Sequence, residues 1–114
     1  MSGISTHVLD TSLGQPAAGV PVSLERRGTD GSWLPLSRGT TDAEGRLGDL
    51  LPPGEPLSAA TYRMVFDTAA YFRGRGAGGF FPEVSVVFTV TDPGRNHHVP
   101  LLLSPYGYST YRGS

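Results

Sequence analysis

Apolar side chains recur at every second position in seven stretches of the chain: Ile4 to Asp10, Val20 to Arg27, Trp33 to Thr40, Thr61 to Asp67, Val84 to Thr91, His97 to Leu103 and Tyr106 to Arg112. Such alternation marks strands with one buried face, because consecutive residues of a strand point to opposite sides of a sheet. Between the stretches stand Gly14-Gln15-Pro16, Thr29-Asp30-Gly31, Asp42-Ala43-Glu44-Gly45, Pro52-Pro53-Gly54 and Asp92-Pro93-Gly94. Each supplies the special backbone angles that a tight turn demands. One short helix is predicted, Thr68 to Arg73, stopped by Gly74 and Gly76. The pattern predicts an all-β fold, a β-sandwich of seven to eight strands.

Alternation also assigns faces. The inward rows are Ile4 and Val8; Val20, Val22 and Leu24; Val84, Val86, Phe88 and Val90; and Val99, Leu101 and Leu103, continued back to His97. The opposite face carries Ser5, His7 and Leu9 on the first strand and His98, Pro100, Leu102 and Ser104 near the end. His7 and His98 are therefore expected to point outward beside apolar neighbours. A second subunit is expected to cover those neighbours.

Composition narrows the picture. A length of 114 residues leads to the expectation of one domain, residues 1–114, around a single core, and 16 Gly with 10 Pro suit many turns. A net charge of -1 without any block of like charge argues against nucleic-acid and membrane partners. The absence of cysteine excludes disulfides, thiolate zinc sites and cysteine nucleophiles, and leaves the redox compartment open. All nine basic residues are Arg, which excludes lysine Schiff bases and lysine isopeptide cross-links. The first twenty residues lack the apolar run of a secretory signal, and no run has the length of a membrane span. A cytoplasmic location is expected.

With three histidines in the chain, a metal site has to be weighed. His97 and His98 are adjacent on a strand, point to opposite faces and have no acidic neighbour there, so a catalytic zinc site is not expected. His97, which continues the apolar row, reads as a hydrogen-bonding surface or core residue without a chemical role.

Thr6-His7-Val8-Leu9-Asp10 near the start and His98-Val99-Pro100-Leu101-Leu102-Leu103-Ser104-Pro105-Tyr106-Gly107-Tyr108-Ser109-Thr110-Tyr111-Arg112-Gly113-Ser114 at the end resemble the signatures of the transthyretin-like 5-hydroxyisourate hydrolases. The likeness runs from Gly3 to Ser114. The terminal Tyr-Arg-Gly-Ser separates such enzymes from transthyretin itself, and Gly45-Arg46 stands where the family pattern has its catalytic arginine. One departure is Asn96, where the family commonly has a histidine; an amide there still donates and accepts hydrogen bonds. The resemblance implies a transthyretin-like (prealbumin-like) sandwich assembled as a homotetramer. Its active sites would lie in the channel at the dimer–dimer interface, built from facing subunits. It also implies cofactor-free hydrolysis of 5-hydroxyisourate to 2-oxo-4-hydroxy-4-carboxy-5-ureidoimidazoline in urate (purine) degradation.

The residues suit that chemistry. Water attacks an amide carbonyl poorly unless a base with a pKa near neutrality takes its proton, and imidazole is such a base. His7 or His98 fills that role. Arg46 is expected to face the developing negative charge on the carbonyl oxygen. His7, Arg46 and His98 are thus the catalytic candidates, with His7, Arg46, Tyr111, Arg112 and Ser114 as substrate-binding candidates. No metal or cofactor is expected. Two other readings share the fold: a non-enzymatic ligand carrier of the transthyretin type, and a structural module of a surface protein. The first does not account for His7, Arg46, His98 and the terminal motif together; the second lacks both a signal peptide and a lysine.

Overall fold

A computed structural model describes residues 3–113. The strands are β1 (Ile4–Asp10), β2 (Gln15–Pro16), β3 (Pro21–Arg27), β4 (Trp33–Thr40), β5 (Arg46–Leu47), β6 (Ala60–Phe66), β7 (Val84–Val90), β8 (His97–His98), β9 (Leu101–Ser104) and β10 (Gly107–Thr110), with one helix, α1 (Thr68–Gly74), between β6 and β7. They form two sheets: β4-β3-β6-β7, and a six-stranded sheet of order β10-β9-β1-β2 in which β5 and β8 also pair with β1. The predicted sandwich is therefore present. The ten segments exceed the predicted seven to eight because of three two-residue pairings, β2, β5 and β8.

The inward rows fall where alternation puts them. Ile4, Val8, Val99, Leu101 and Leu103 of one sheet face Val22, Leu24, Tyr62, Met64, Phe66, Val84 and Val90 of the other, all buried. Complete burial of such a side chain contributes about 1.5–3 kcal/mol, so this two-sided row dominates stability. α1 starts where the Asp67 carboxylate accepts from Ala70 N at 3.0 Å, and it ends at Arg75 before Gly76 turns left-handed with φ 70°. It buries Tyr71 and Phe72 against the sheets.

Two departures from the sequence pattern have local causes. The stretch His97 to Leu103 is one run in sequence but splits into β8 and β9, because Pro100 has no N–H to give the ladder. Side chains take over there: Thr6 Oγ1 donates to Val99 O at 2.6 Å, and Thr110 Oγ1 donates to Pro100 O at 2.7 Å. The second is Asp10, which shares the inward row of β1 and is wholly buried. Its carboxylate accepts from Tyr71 Oη at 2.7 Å, Arg75 Nη1 at 2.6 Å and Ser12 Oγ at 2.5 Å, so a charge inside the core is fully partnered. Burial pushes this carboxyl up, but the hydrogen bonds from Ser12 and Tyr71 and the Arg75 charge outweigh it and hold its pKa below the ordinary 3.8.

Candidate active site

β1 organises the site. Its parallel register with β8 places Ser5 opposite His98, and its antiparallel register with β5 places His7 opposite Arg46. Directly paired residues share a face, and Ser5 and His7 lie two apart, so Ser5, His7, Arg46 and His98 all point to the outer side of this sheet. None is fully buried, in contrast to Thr6 and His97 on the inward side.

The turn before β5 is built to deliver Arg46. Asp42 Oδ1 accepts from Glu44 N and from Arg46 N, each at 2.9 Å, which fixes the loop as an Asx-type turn. Gly45 has φ 75°, and a side chain there would strike Val8 O. Only glycine lets this loop approach β1 closely enough for Val8 N to donate to Gly45 O at 2.7 Å. The same turn presents the Glu44 carbonyl to His7, whose Nε2 lies 2.9 Å away. A carbonyl only accepts, so Nε2 carries the proton and Nδ1 is the basic nitrogen of the neutral ring. Among the described residues no carboxylate pairs with Arg46.

His98 is held on two sides. Its Nδ1 lies 2.9 Å from Ser5 Oγ, and Asn96 Nδ2 reaches the same oxygen at 3.4 Å. On the other side the tail runs antiparallel to it: Gly113 N donates to His98 O at 2.8 Å. A Cβ on Gly113 would lie 2.6 Å from His98 Cδ2, so the tail can rest against the imidazole only with glycine at that place. Burial lowers the His98 pKa, and the charges of His7 and Arg46 lower it further, so the ring favours its neutral form.

His98 lines two concavities. One, of about 440 Å³, is polar and is shared with Ser5, Thr6, Arg46 and Asn96. The other, of about 150 Å³, is bordered by Val86, Phe88, Val99, Tyr111 and Arg112. Of the predicted residues, His7, Arg46 and His98 therefore meet on one face. Tyr111 and Arg112 are exposed and line the smaller concavity together with His98, and Ser114 lies outside the described residues. His97 is buried, with Nδ1 donating to Arg95 O at 2.9 Å. Ser5 joins the site with no motif to announce it, the parity it shares with His7 being the available signal, and Asn96 joins it at the position where the family commonly has a histidine. Among the described residues no group of three or more His, Cys, Asp or Glu is placed to hold a metal ion, and no helix is long and apolar enough to cross a membrane.

Comparison with known proteins gives a consistent set of matches. The model of the HIUase/Transthyretin family matches residues 4–113. A 5-hydroxyisourate hydrolase of Mus musculus is 45% identical, over 99% of this chain and 96% of its own length. Among solved structures, Klebsiella pneumoniae 5-hydroxyisourate hydrolase superposes with a TM-score of 0.86 at 38% identity, covering 100% of both chains. Sea bream transthyretin in complex with thyroxine superposes with a TM-score of 0.88 at 33% identity, covering 96% of this chain and 93% of that one.

Proposed function

The chain belongs to the HIUase/Transthyretin family, and from that premise we propose that it is a hydrolase of urate degradation, opening 5-hydroxyisourate to 2-oxo-4-hydroxy-4-carboxy-5-ureidoimidazoline. The observation that carries this reading is the convergence on one outer face of β1 of two histidines and an arginine that pairs with no carboxylate among the described residues. The reaction needs an imidazole to take a proton from water and donors for the charge that follows; two imidazoles stand on this face, and burial favours the neutral ring of His98. It also needs donors aimed at the carbonyl oxygen as charge grows there. Arg46 offers them, each commonly worth about 2.7–4 kcal/mol. His7, Arg46 and His98 are assigned the catalytic roles. Tyr111, Arg112 and Ser114 are assigned to holding the flat heterocycle, and no cofactor takes part.

The protein works as one domain and as a homotetramer, its sites lying where the outer faces of two dimers meet. The edges support this. β4 carries Pro35 and a bulge between Leu24 and Glu25 on its partner β3, devices that blunt an edge. β7 and β10, each paired on one side only, have no such device and stand beside exposed Val87, Phe80 and Tyr108. The site is placed in the cytoplasm, with neither nucleic acid nor membrane as partner. A thyroxine-type carrier shares the fold, but binding alone has no use for two histidines and an arginine turned to one face.

The deciding experiment mixes the purified protein with freshly generated 5-hydroxyisourate and follows its ultraviolet decay. The hydrolase reading expects decay far faster than the spontaneous rate. Decay at the spontaneous rate, with saturable binding of the compound, would establish a carrier instead.

A further inference from the structure

The hydrogen-bond partners of the two site histidines differ in kind, and the difference assigns them opposite tasks. His7 donates through Nε2 to the Glu44 carbonyl, which leaves Nδ1 as its free basic nitrogen. His98 meets at Nδ1 a hydroxyl, which can either donate or accept. What decides is the next link: an amide N–H of Asn96 points at the same Ser5 oxygen, 3.4 Å away. With that oxygen already accepting, and with no other protein acceptor for the Ser5 proton among the described residues, the arrangement that uses every donor runs in one direction. Asn96 Nδ2–H donates to Ser5 Oγ, and Ser5 Oγ–H donates to His98 Nδ1. The ring proton of neutral His98 then sits on Nε2.

We propose that Ser5 and Asn96 are positioning residues which fix His98 as a neutral Nε2–H donor, leaving His7 Nδ1 as the base. This rests on the hydrolase reading above. In the resulting step, His7 Nδ1 takes one proton of water as its oxygen bonds to the amide carbon. The carbonyl electron pair moves to oxygen, where Arg46 and His98 Nε2–H meet the charge. The C–N bond then breaks, and the leaving nitrogen takes the proton back from His7. One water is consumed, a carboxyl and an N–H are formed, and His98 gives a hydrogen bond without losing its proton. A neutral imidazole donor of this kind suits a ring whose surroundings disfavour its charged form.

The groups facing His98 agree with that. From β1 and β5 come His7 and Arg46, and from the tail comes Arg112 beside it in the smaller concavity. The Asp49 carboxylate lies with Asn96 around Gly3 and accepts from Leu51 N at 3.1 Å. Asn96 is exposed, so changing it does not disturb the core.

The test reads the His98 tautomer by ring-nitrogen NMR of the full ¹⁵N-labelled protein without substrate, a readout independent of whether the protein is a hydrolase. Wild type is expected to show Nε2–H at His98. Asn96→Asp replaces a donor with an acceptor, so Ser5 must turn its proton to the new carboxylate and accept from His98 Nδ1–H. The tautomer is expected to invert, with kcat falling at least about tenfold, KM little changed and the acid limb of the rate profile moving to higher pH. Ser5→Ala is expected to leave a mixture of tautomers, and Ser5→Thr to keep Nε2–H. An Nδ1–H signal in wild type, or an unchanged tautomer in Asn96→Asp, overturns the proposal. A wild-type protein with the Nε2–H tautomer but no hydrolysis would overturn the activity and leave the assignment standing.

Discussion

β1 carries two charged clusters of opposite character. At its end, Asp10 turns inward and meets Tyr71, Arg75 and Ser12; in its middle, His7 turns outward and shares a face with Arg46, Ser5 and His98. Both combine a titratable group with an arginine. In the first no buried polar side-chain atom is left without a partner among the described residues, and Tyr71 is pushed up to about 12 by burial, by its hydrogen bond to Asp10 and by the Asp10 charge, so Asp10 stays ionised and Tyr71 protonated near neutrality. In the second Arg46 is exposed and without an acid partner among the described residues, and a histidine pKa is displaced downward mainly by burial. Saturated charge holds a fold together; unsaturated charge is left for a ligand.

Breaking either cluster should affect a different property. The largest expected effect is on rate: His98→Asn keeps size and polarity but loses the placed Nε2–H donor, and should lower kcat by roughly 10² to 10³ while circular dichroism and thermal midpoint stay near wild type. A chain ending at Thr110 loses the Gly113 bond to His98 along with Tyr111 and Arg112. It should lose at least about a hundredfold in kcat/KM, measured on protein that is still an assembled sandwich by light scattering. Asp10→Ala should show the reverse. Denaturant unfolding is expected to register a loss of about 3 kcal/mol, the lower part of the range for a broken buried pair because Arg75 keeps access to water, with kcat of the folded fraction within a few-fold of wild type. Arg46→Lys should not restore what Arg46→Ala removes, since a point charge lacks the guanidinium fork. Comparable kcat for Arg46→Lys and wild type would reduce Arg46 to bulk electrostatics.

The smallest effects are in the pH response, and the two clusters separate there as well. Both pKa values are depressed on folding, so both contribute stability that is complete above the ordinary pKa and is lost as pH falls toward the folded one. For His98 that window opens below 6.5, and for Asp10 below 3.8. Stability measured against pH should decline in two stages, and the NMR titration of the His98 ring should have its midpoint below 6.5. A midpoint above that value would mean that an acid faces the ring.

Much of this was legible in the sequence. Alternation located the strands, the buried rows and the outward facing of His7 and His98, because parity is a local property of a strand. The Asp10 cluster was not legible: its partners Tyr71 and Arg75 lie on and just past a helix 61 and 65 positions away, and a polar residue at the end of an apolar row gives no sign of whether partners await it. Ser5 was on the right face, yet its role depends on His98, 93 positions on. Pro100 marks a break in the ladder, yet the alternation runs straight through it from His97 to Leu103, since alternation carries no record of hydrogen bonding.

The most direct test of the contrast is the ultraviolet decay of 5-hydroxyisourate at equal concentrations of folded wild-type, Asp10→Ala and His98→Asn protein. Wild type and Asp10→Ala should share one fast rate per folded molecule, while His98→Asn should be at least about a hundredfold slower. Equal rates for wild type and His98→Asn, or a collapse confined to Asp10→Ala, would contradict the division of labour along β1.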